Sequence, residues 1–258
     1  VTIQALVIGI GSGNPDHLTR EAIAALNGVD VFLVADKGAA KHDLVKLRED
    51  LCRDLITHER YRFVEVPDPE RGPDLERNAA EYRTGVTAWH DARAQRYAEI
   101  MTTAVGNKGT IGFLVWGDPA LYDSTLRIVE SIRACGVDLE LTVIPGISSV
   151  QLLAARHKII LNRIGQPIHI TTGRRLLEEY SPALGDFVVM LDGDLACRGL
   201  VEQFGDLVIY WGAQLGLPDE ALISGRLLEV IEEIQAKRAA VRAARGWVMD
   251  TYLLRPPS

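Results

Sequence analysis

IGIGSGNPDHLT, residues 8–19, follows directly on the apolar run ALVIGIG (5–11) and leads into the amphipathic pattern LTREAIAALNG (18–28). A buried strand, a glycine-bearing turn and a helix, in that order, open an α/β unit. What the turn holds is decided by its spacing. The dinucleotide fingerprint G-x-G-x-x-G is met by Gly9 and Gly11, but its third position is Asn14, and Gly13 falls one place early. A phosphate loop ends in Gly-Lys-Ser/Thr, and no such lysine is present. Pro15 stands where the helix of the usual cradle would open. The bland reading is a tight strand-to-helix turn whose glycines supply backbone freedom. The functional reading is a small-molecule site without phosphate, because the turn lies at the carboxyl end of the first strand, where open α/β sheets bind ligands.

The same alternation continues outward. VDVFLVAD (29–36), YRFVEV (61–66), TIGFLVWGDP (110–119) and VDLELTVIPG (137–146) read as strands, the last two running on into turns. LVKLREDLCRDLI (44–56), a segment running to about 103 and TLRIVESIRACG (125–136) read as helices, and the polar stretch DPERGPDLERN (68–78) as a connection. This pattern predicts a parallel sheet covered by helices. In the second half, strands are expected at PIHITT (167–172), FVVMLDG (187–193), LVIYWG (207–212) and WVMDTYLL (247–254), with a long helix over roughly 219–245. The boundary is placed at Pro145-Gly146, giving domains 1–144 and 145–258. Leu227, Leu228, Ile231 and Ile234 form the apolar stripe expected to bury that helix.

Composition narrows the class. Apolar residues make up 47% and charged residues 24%, as in ordinary globular proteins. No apolar run approaches the ~18 residues of a membrane span. VTIQALVIGIG carries no basic leader and reads as a strand, so a cytoplasmic protein is expected. Cys52, Cys135 and Cys197 are odd in number and far apart, which fits reduced packing residues rather than a disulfide frame or a zinc site. The net charge of −7 argues against nucleic acid as a partner. The six histidines are scattered without ligand spacing, so no metal is expected, and Asp192 and Asp194 read as turn formers.

Two further turns resemble the first in placement. VWGDPALYDS (115–124) follows an apolar strand, with Gly117 allowing close backbone approach, Pro119 ending the strand and Asp118 suited to cap a turn. IPGISS (144–149) again follows a strand, and Ser148 can cap the next helix. Three such turns on three strand ends are expected to converge on one edge of the sheet.

GIGSGNPDHLT, WGDPALY and PGISS, in this order and spacing, resemble the tetrapyrrole methylases, the S-adenosylmethionine-dependent enzymes of cobalamin and siroheme synthesis. The likeness extends through TTGRR (171–175), VVMLDG (188–193) and LGLPDEALISGRL (215–227), nearly the whole chain. It implies two α/β domains, the first sheet mainly parallel and the second mixed, with the active site in the cleft between them, and a homodimer. It implies S-adenosylmethionine as methyl donor, leaving as S-adenosylhomocysteine, and a polycarboxylate tetrapyrrole as acceptor, with neither membrane nor nucleic acid as partner. Carried over by motif, the cofactor residues are Ser12, Gly13, Trp116, Gly117, Asp118, Tyr122, Ser148, Ser149, Met190, Leu191, Ala213 and Gln214. The chain departs from the family pattern at Ser12, where proline is usual, at Trp116, where many relatives have glycine, and at Met190-Leu191-Asp192, where Tyr-Met-Gly is usual.

Within the family the likeness points to methylation of C-1 of precorrin-5 with expulsion of an acetyl group as acetate. That second step needs a base or an oriented water. His90, in WHDAR, is one candidate, against the plainer reading of a surface histidine, and Asp118 and Tyr122 are others. Between Arg53 and Arg96 stand eight arginines and no lysine, among nine acids. They read either as a solvated face with surface pairs or, in part, as carboxylate forks. Arg83, Arg93, Arg96, Arg174 and Arg175 are the candidates to face the substrate. The rival readings are a family member acting on another ring carbon or acceptor, a non-catalytic binding protein, and a nicotinamide dehydrogenase, which Asn14 and Pro15 disfavour.

Overall fold

The computed structural model describes residues 2–36, 42–67 and 79–257; of these, 35, 36, 42, 43 and 79–91 are described by backbone alone. The chain divides into two compact units, one reaching to Ile147 and the other beginning at Ser148.

The first unit is built on five parallel strands: β1 (Ile3–Gly9), β2 (Val31–Asp36), β3 (Arg62–Pro67), β4 (Gly109–Val115) and β5 (Leu139–Ile144). They lie in the order β3-β2-β4-β1-β5, with β1 paired to β4 from Ile3↔Gly109 to Gly9↔Val115. Helices α1 (Arg20–Leu26), α2 (His42–Leu55), α3 (Ala79–Val105) and α4 (Thr125–Ala134) supply the crossovers. A strand with helices on both faces must be apolar on both, which explains the unbroken run of β1. Ala5 and Val7 pack with Tyr97 and Met101 of α3 and Val129 and Ile132 of α4. Ile8 packs on the opposite side with Ala22 and Leu26 of α1, Phe32, and Leu51 and Cys52 of α2. The parallel arrangement places every β-to-α turn of this unit at the carboxyl ends of the strands, so β1, β4 and β5 deliver their turns to one edge.

The second unit begins with α5 (Ser149–His157) and carries a mixed sheet of β6 (Ile168–Thr172), β7 (Asp186–Met190), β8 (Val208–Ala213), β9 (Ala221–Arg226) and β10 (Asp250–Arg255), in the order β6-β7-β10-β8-β9. Only β6 and β7 are parallel; β10 runs antiparallel to both β7 and β8, and β9 to β8. Helices α6 (Gly173–Glu179), α7 (Val201–Phe204) and α8 (Leu227–Arg245) complete it. Its core gathers Phe187, Trp211, Tyr252 and Leu254 of the sheet with Leu227, Ile231 and Ile234 of α8.

Several expectations are corrected here. The helix expected over 219–245 begins only at Leu227, because 221–226 form β9 and pair with β8 from Ala213↔Ala221 to Val208↔Arg226. Sheet pairing overrides the weak helical preference of Ala-Leu-Ile. Leu228 is 48% exposed and lies off the stripe that buries Leu227, Ile231 and Ile234. The last strand starts at Asp250, not at 247. Cys52 and Cys197 are packing residues, but Cys135 caps the exposed end of α4. The stretch 68–78 lies outside the described residues.

Candidate functional site

Three turns of the first unit interlock at the carboxyl ends of β1, β4 and β5. Gly11 and Gly117 form an antiparallel bridge, with N–H donating to C=O at 3.2 and 2.7 Å. Asp118 ties the third turn in: one carboxylate oxygen accepts from Gly146 N–H at 2.9 Å and the other from Ala120 N–H at 2.8 Å. The glycines are there because nothing larger fits. A Cβ on Gly146 would lie 2.1 Å from the Gly117 carbonyl oxygen, and one on Gly9 would lie 2.6 Å from Gly146 N. Gly13, at φ +85°, presses its backbone on the Trp116 ring, which an added Cβ would meet at 2.6 Å.

Two residues without a role from sequence join this cluster. The Arg48 guanidinium, from α2, lies 4.9 Å from the centroid of the Trp116 ring and donates to the Leu114 carbonyl at 3.3 Å. Burial pulls its pKa down to about 10, against the pull of Asp123 in the other direction. His17 closes the short 3-10 turn Pro15–His17, and its Nδ1 lies 3.0 Å from Ser12 Oγ. His17 was visible in the motif NPDHLT; Arg48, in a separate helix, carried no sequence signal.

In the second unit the strand ends named from sequence are strained. Non-glycine residues with left-handed φ among the described residues are Tyr122, Lys158, Leu191, Leu195 and Gln214. Lys158 is a helix C-cap and Leu195 precedes a 3-10 turn. The other three are expected cofactor residues. Such conformations cost about 1–3 kcal/mol each and concentrate at ligand sites. Leu191, at φ 51°, is 65% exposed at the end of β7. Gln214, at φ 52°, follows β8; its N–H donates to Met249 O at 2.9 Å and its Oε1 accepts from Met249 N–H at 3.1 Å. Gln214 Nε2 and Trp116 Nε1 are buried and have no hydrogen-bond partner among the described residues. An unanswered buried donor on a residue of strained backbone, as at Gln214, fits contact with a polar ligand such as an adenosyl compound.

Asp192 holds the Met190-Leu191 turn in place. Its buried carboxylate accepts from Ala196 N–H at 2.7 Å and Tyr252 O–H at 2.5 Å, and its carbonyl accepts from Arg238. Arg238 in turn donates to the buried Asp250 at 2.7 Å, which also accepts from Trp211 Nε1–H at 2.8 Å. Asp192 is thus a turn former, and a Cβ on Gly173 would come within 2.4 Å of its carboxyl carbon. Among the described residues no group of His, Cys, Asp or Glu is arranged to hold a metal ion.

The remaining candidates are scattered in role. Ser148 is buried at the start of α5 and donates its N–H to the Gln151 side chain at 2.8 Å; Ser149 Oγ accepts from Thr251 at 2.8 Å. Ala213 is buried within β8, and Met190 ends β7 half-buried. Tyr122 is 46% exposed. The backbone of α3 carries Arg83 and His90, whose side chains lie outside the described residues. Arg93 is buried with its guanidinium 5.8 Å from the Tyr97 ring centroid, and Arg96 and Arg174 are exposed. Arg175 pairs with Glu179 at 2.5 Å.

A family model for the tetrapyrrole (corrin/porphyrin) methylases matches residues 5–231, and the chain belongs to that family. It is 47% identical over 253 residues to a precorrin-6A synthase [deacetylating] from Sinorhizobium sp, a match covering 98% of this chain and 95% of that protein. Among solved structures, a cobalamin synthesis related protein, CobF, from Corynebacterium diphtheriae aligns at a TM-score of 0.85 and 36% identity over 100% of both chains. A uroporphyrin-III C-methyl transferase from Thermus thermophilus, complexed with S-adenosyl homocysteine, shares the fold at a TM-score of 0.60 and 17% identity, over 98% of this chain and 92% of that chain. No helix among the described residues is long and apolar enough to cross a membrane.

Proposed function

We propose that the chain is the S-adenosylmethionine-dependent C-methyltransferase of cobalamin biosynthesis that methylates C-1 of precorrin-5 and releases the acetyl group as acetate, giving precorrin-6A. Family membership and the full-length likeness to a precorrin-6A synthase carry the reading. The interlocked turns are the structural feature that supports it. When bound, S-adenosylmethionine supplies a methyl group already activated by its sulfonium. The protein's task is then alignment and exclusion of water, with reacting atoms near ~3–3.5 Å. Backbone suits that task, because a backbone rim locked by Gly9, Gly117 and Gly146 has almost no freedom left to lose.

On this reading Ser12, Gly13, Trp116, Gly117, Asp118 and Tyr122 hold the cofactor from the first unit, and Ser148, Ser149, Met190, Leu191, Ala213 and Gln214 from the second. Trp116, braced by Arg48, is a stiff aromatic wall, and Gln214 Nε2 is a donor awaiting an acceptor. Arg83, Arg93, Arg96, Arg174 and Arg175 are the proposed partners of the substrate carboxylates; Arg96 and Arg174 are exposed, whereas Arg93 is buried and Arg175 would first have to leave Glu179. The protein acts as a cytoplasmic homodimer without nucleic acid, in line with its net charge of −7. Incubation with methyl-labelled S-adenosylmethionine and a set of precorrins tests the assignment. Label in the tetrapyrrole and acetate in equal amounts, with precorrin-5 only, is the expected result. Label without acetate, or with a different precorrin, would assign another ring carbon, and no label at all would leave a binding protein.

A further inference from the structure

Expelling an acetyl group requires attack on its carbonyl carbon, and the groups first considered for that attack are poorly suited. Both oxygens of Asp118 are taken by backbone N–H groups. Tyr122 is held in a left-handed turn and is 46% exposed. The first turn holds a different pair. Ser12 Oγ and His17 Nδ1 are 3.0 Å apart, the spacing of a hydroxyl nucleophile and its base. Ser12 Oγ also accepts from Asn14 N–H at 3.4 Å, which leaves its own proton to be donated to Nδ1. The histidine tautomer this requires carries its proton on Nε2.

The surrounding turn fixes both partners. Asn14 caps it, its side chain accepting from Asp16 N–H at 2.9 Å and its carbonyl from His17 N–H at 3.0 Å. Pro15 restricts the backbone between them. His17 rests against Gly11, where an added Cβ would meet the His17 Cβ at 3.4 Å. Ser12 and His17 are both half-buried, so the hydroxyl is shielded yet reachable from the rim. A proline at position 12, usual in the family pattern, could provide neither hydroxyl nor base contact.

Resting on the deacetylating reading above, we propose that Ser12 and His17 are the acyl-accepting pair of the reaction. Ser12 Oγ attacks the acetyl carbonyl carbon while its proton passes to His17 Nδ1. The bond from the acetyl carbon to C-1 breaks, and its electron pair stays on C-1, conjugated with the macrocycle. C-1 thereby becomes the nucleophile that methylation requires, and the acetyl group is left as an ester on Ser12. His17 loses the proton to solvent, then takes one from an attacking water and returns it to Ser12 Oγ as acetate leaves. One water is consumed and one acetate formed per turnover.

The test has two arms. The first uses p-nitrophenyl acetate, an activated acetyl ester, with mass spectrometry of the digested protein. Wild type and Ser12→Thr should gain one acetyl group on residue 12. Ser12→Ala should gain none there, and His17→Gln should react at least roughly a hundredfold more slowly, the usual worth of a positioned base. The second arm measures acetate released from precorrin-5, with melting curves confirming that each variant is folded. Ser12→Ala and His17→Gln should lose acetate release by roughly a hundredfold or more, and Ser12→Thr should retain it. Acetate release by folded Ser12→Ala within roughly tenfold of wild type would overturn the pair and leave the proposed function standing. Wild type that is acetylated on Ser12 by the ester yet releases no acetate from any precorrin would overturn the proposed function and leave the pair.

Discussion

Replacing Gly146 by alanine tests the interlocked turns at their tightest point. Gly146 has no left-handed φ, so alanine is acceptable to its own backbone, and any cost comes from its neighbours. The new Cβ would lie 2.1 Å from the Gly117 carbonyl oxygen, 2.8 Å from the Gly9 carbonyl carbon and 2.9 Å from the Gly9 Cα. All three are backbone atoms, with no side-chain rotation available to relieve the clash. The turns must open by about 1 Å, and overpacking of this kind costs about 1–3 kcal/mol. The opening also stretches the 2.9 Å bond from Gly146 N–H to Asp118. A hydrogen bond to a charged group contributes about 1.5–3 kcal/mol, so a total near 4 kcal/mol is expected. For a domain of this size that lowers the melting temperature by about 10 °C. Differential scanning calorimetry reads the shift, and titration with S-adenosylhomocysteine should show an affinity reduced at least roughly tenfold. Gly28→Ala is the control, since its Cβ meets only the Ala25 carbonyl at 3.4 Å. A Gly146→Ala protein that melts within about 2 °C of wild type and binds S-adenosylhomocysteine equally well would refute the reasoning.

Two other perturbations follow from buried groups. Arg238→Met leaves Asp250, only 3% exposed, without its partner, and should cost about 3–5 kcal/mol in urea unfolding at neutral pH. Burial already pushes the Asp250 carboxyl above its ordinary value of 3.8, and losing Arg238 raises it further. A raised folded-state pKa means stability that is present at low pH and lost as pH rises, so the defect should shrink as pH falls toward 4. An equal defect at pH 4.5 and 7.5, or restoration of nothing by the Arg238→Met, Asp250→Asn double variant, would count against it. The thiols should separate cleanly: burial pushes Cys52 and Cys197 from 9.0 up to about 12, while Cys135 is exposed. A disulfide reagent at pH 8 should therefore titrate one thiol quickly in the native protein and all three in denaturant, because only a thiolate attacks. Three fast thiols in the native state would contradict this packing.

The first unit was legible because its chemistry is local. Runs such as ALVIGIG can only be strands covered on both faces, and glycine-bearing turns directly after them fall on one edge of any parallel sheet. The second unit was harder, since an antiparallel strand on the edge of a sheet needs no continuous apolar run. Ala221–Arg226 carries residues acceptable to a helix, and only its pairing with β8 makes it a strand. The site shows the same division. Gly13, Gly117 and Asp118 are typical turn residues and announced themselves. Leu191 and Gln214 are not, and their left-handed backbone is imposed by contacts distant in sequence: Arg238 and Tyr252 on Asp192, and Met249 on Gln214. His17 was quoted within its motif, yet its meeting with Ser12 depends on the curl of the Pro15–His17 turn, which residue identities alone do not display. Arg48 reaches Trp116 from α2, far away along the chain, and no local pattern signals that.

The structure of the protein crystallised with S-adenosylhomocysteine bears most directly on methyl transfer at the interlocked turns. The ligand should lie with its polar atoms within about 3 Å of backbone groups in the stretches around Gly11–Gly13 and Gly117–Asp118. Density for the ligand at the opposite, amino-terminal edge of the parallel sheet, or crystals that take up none at saturating concentration, would contradict it.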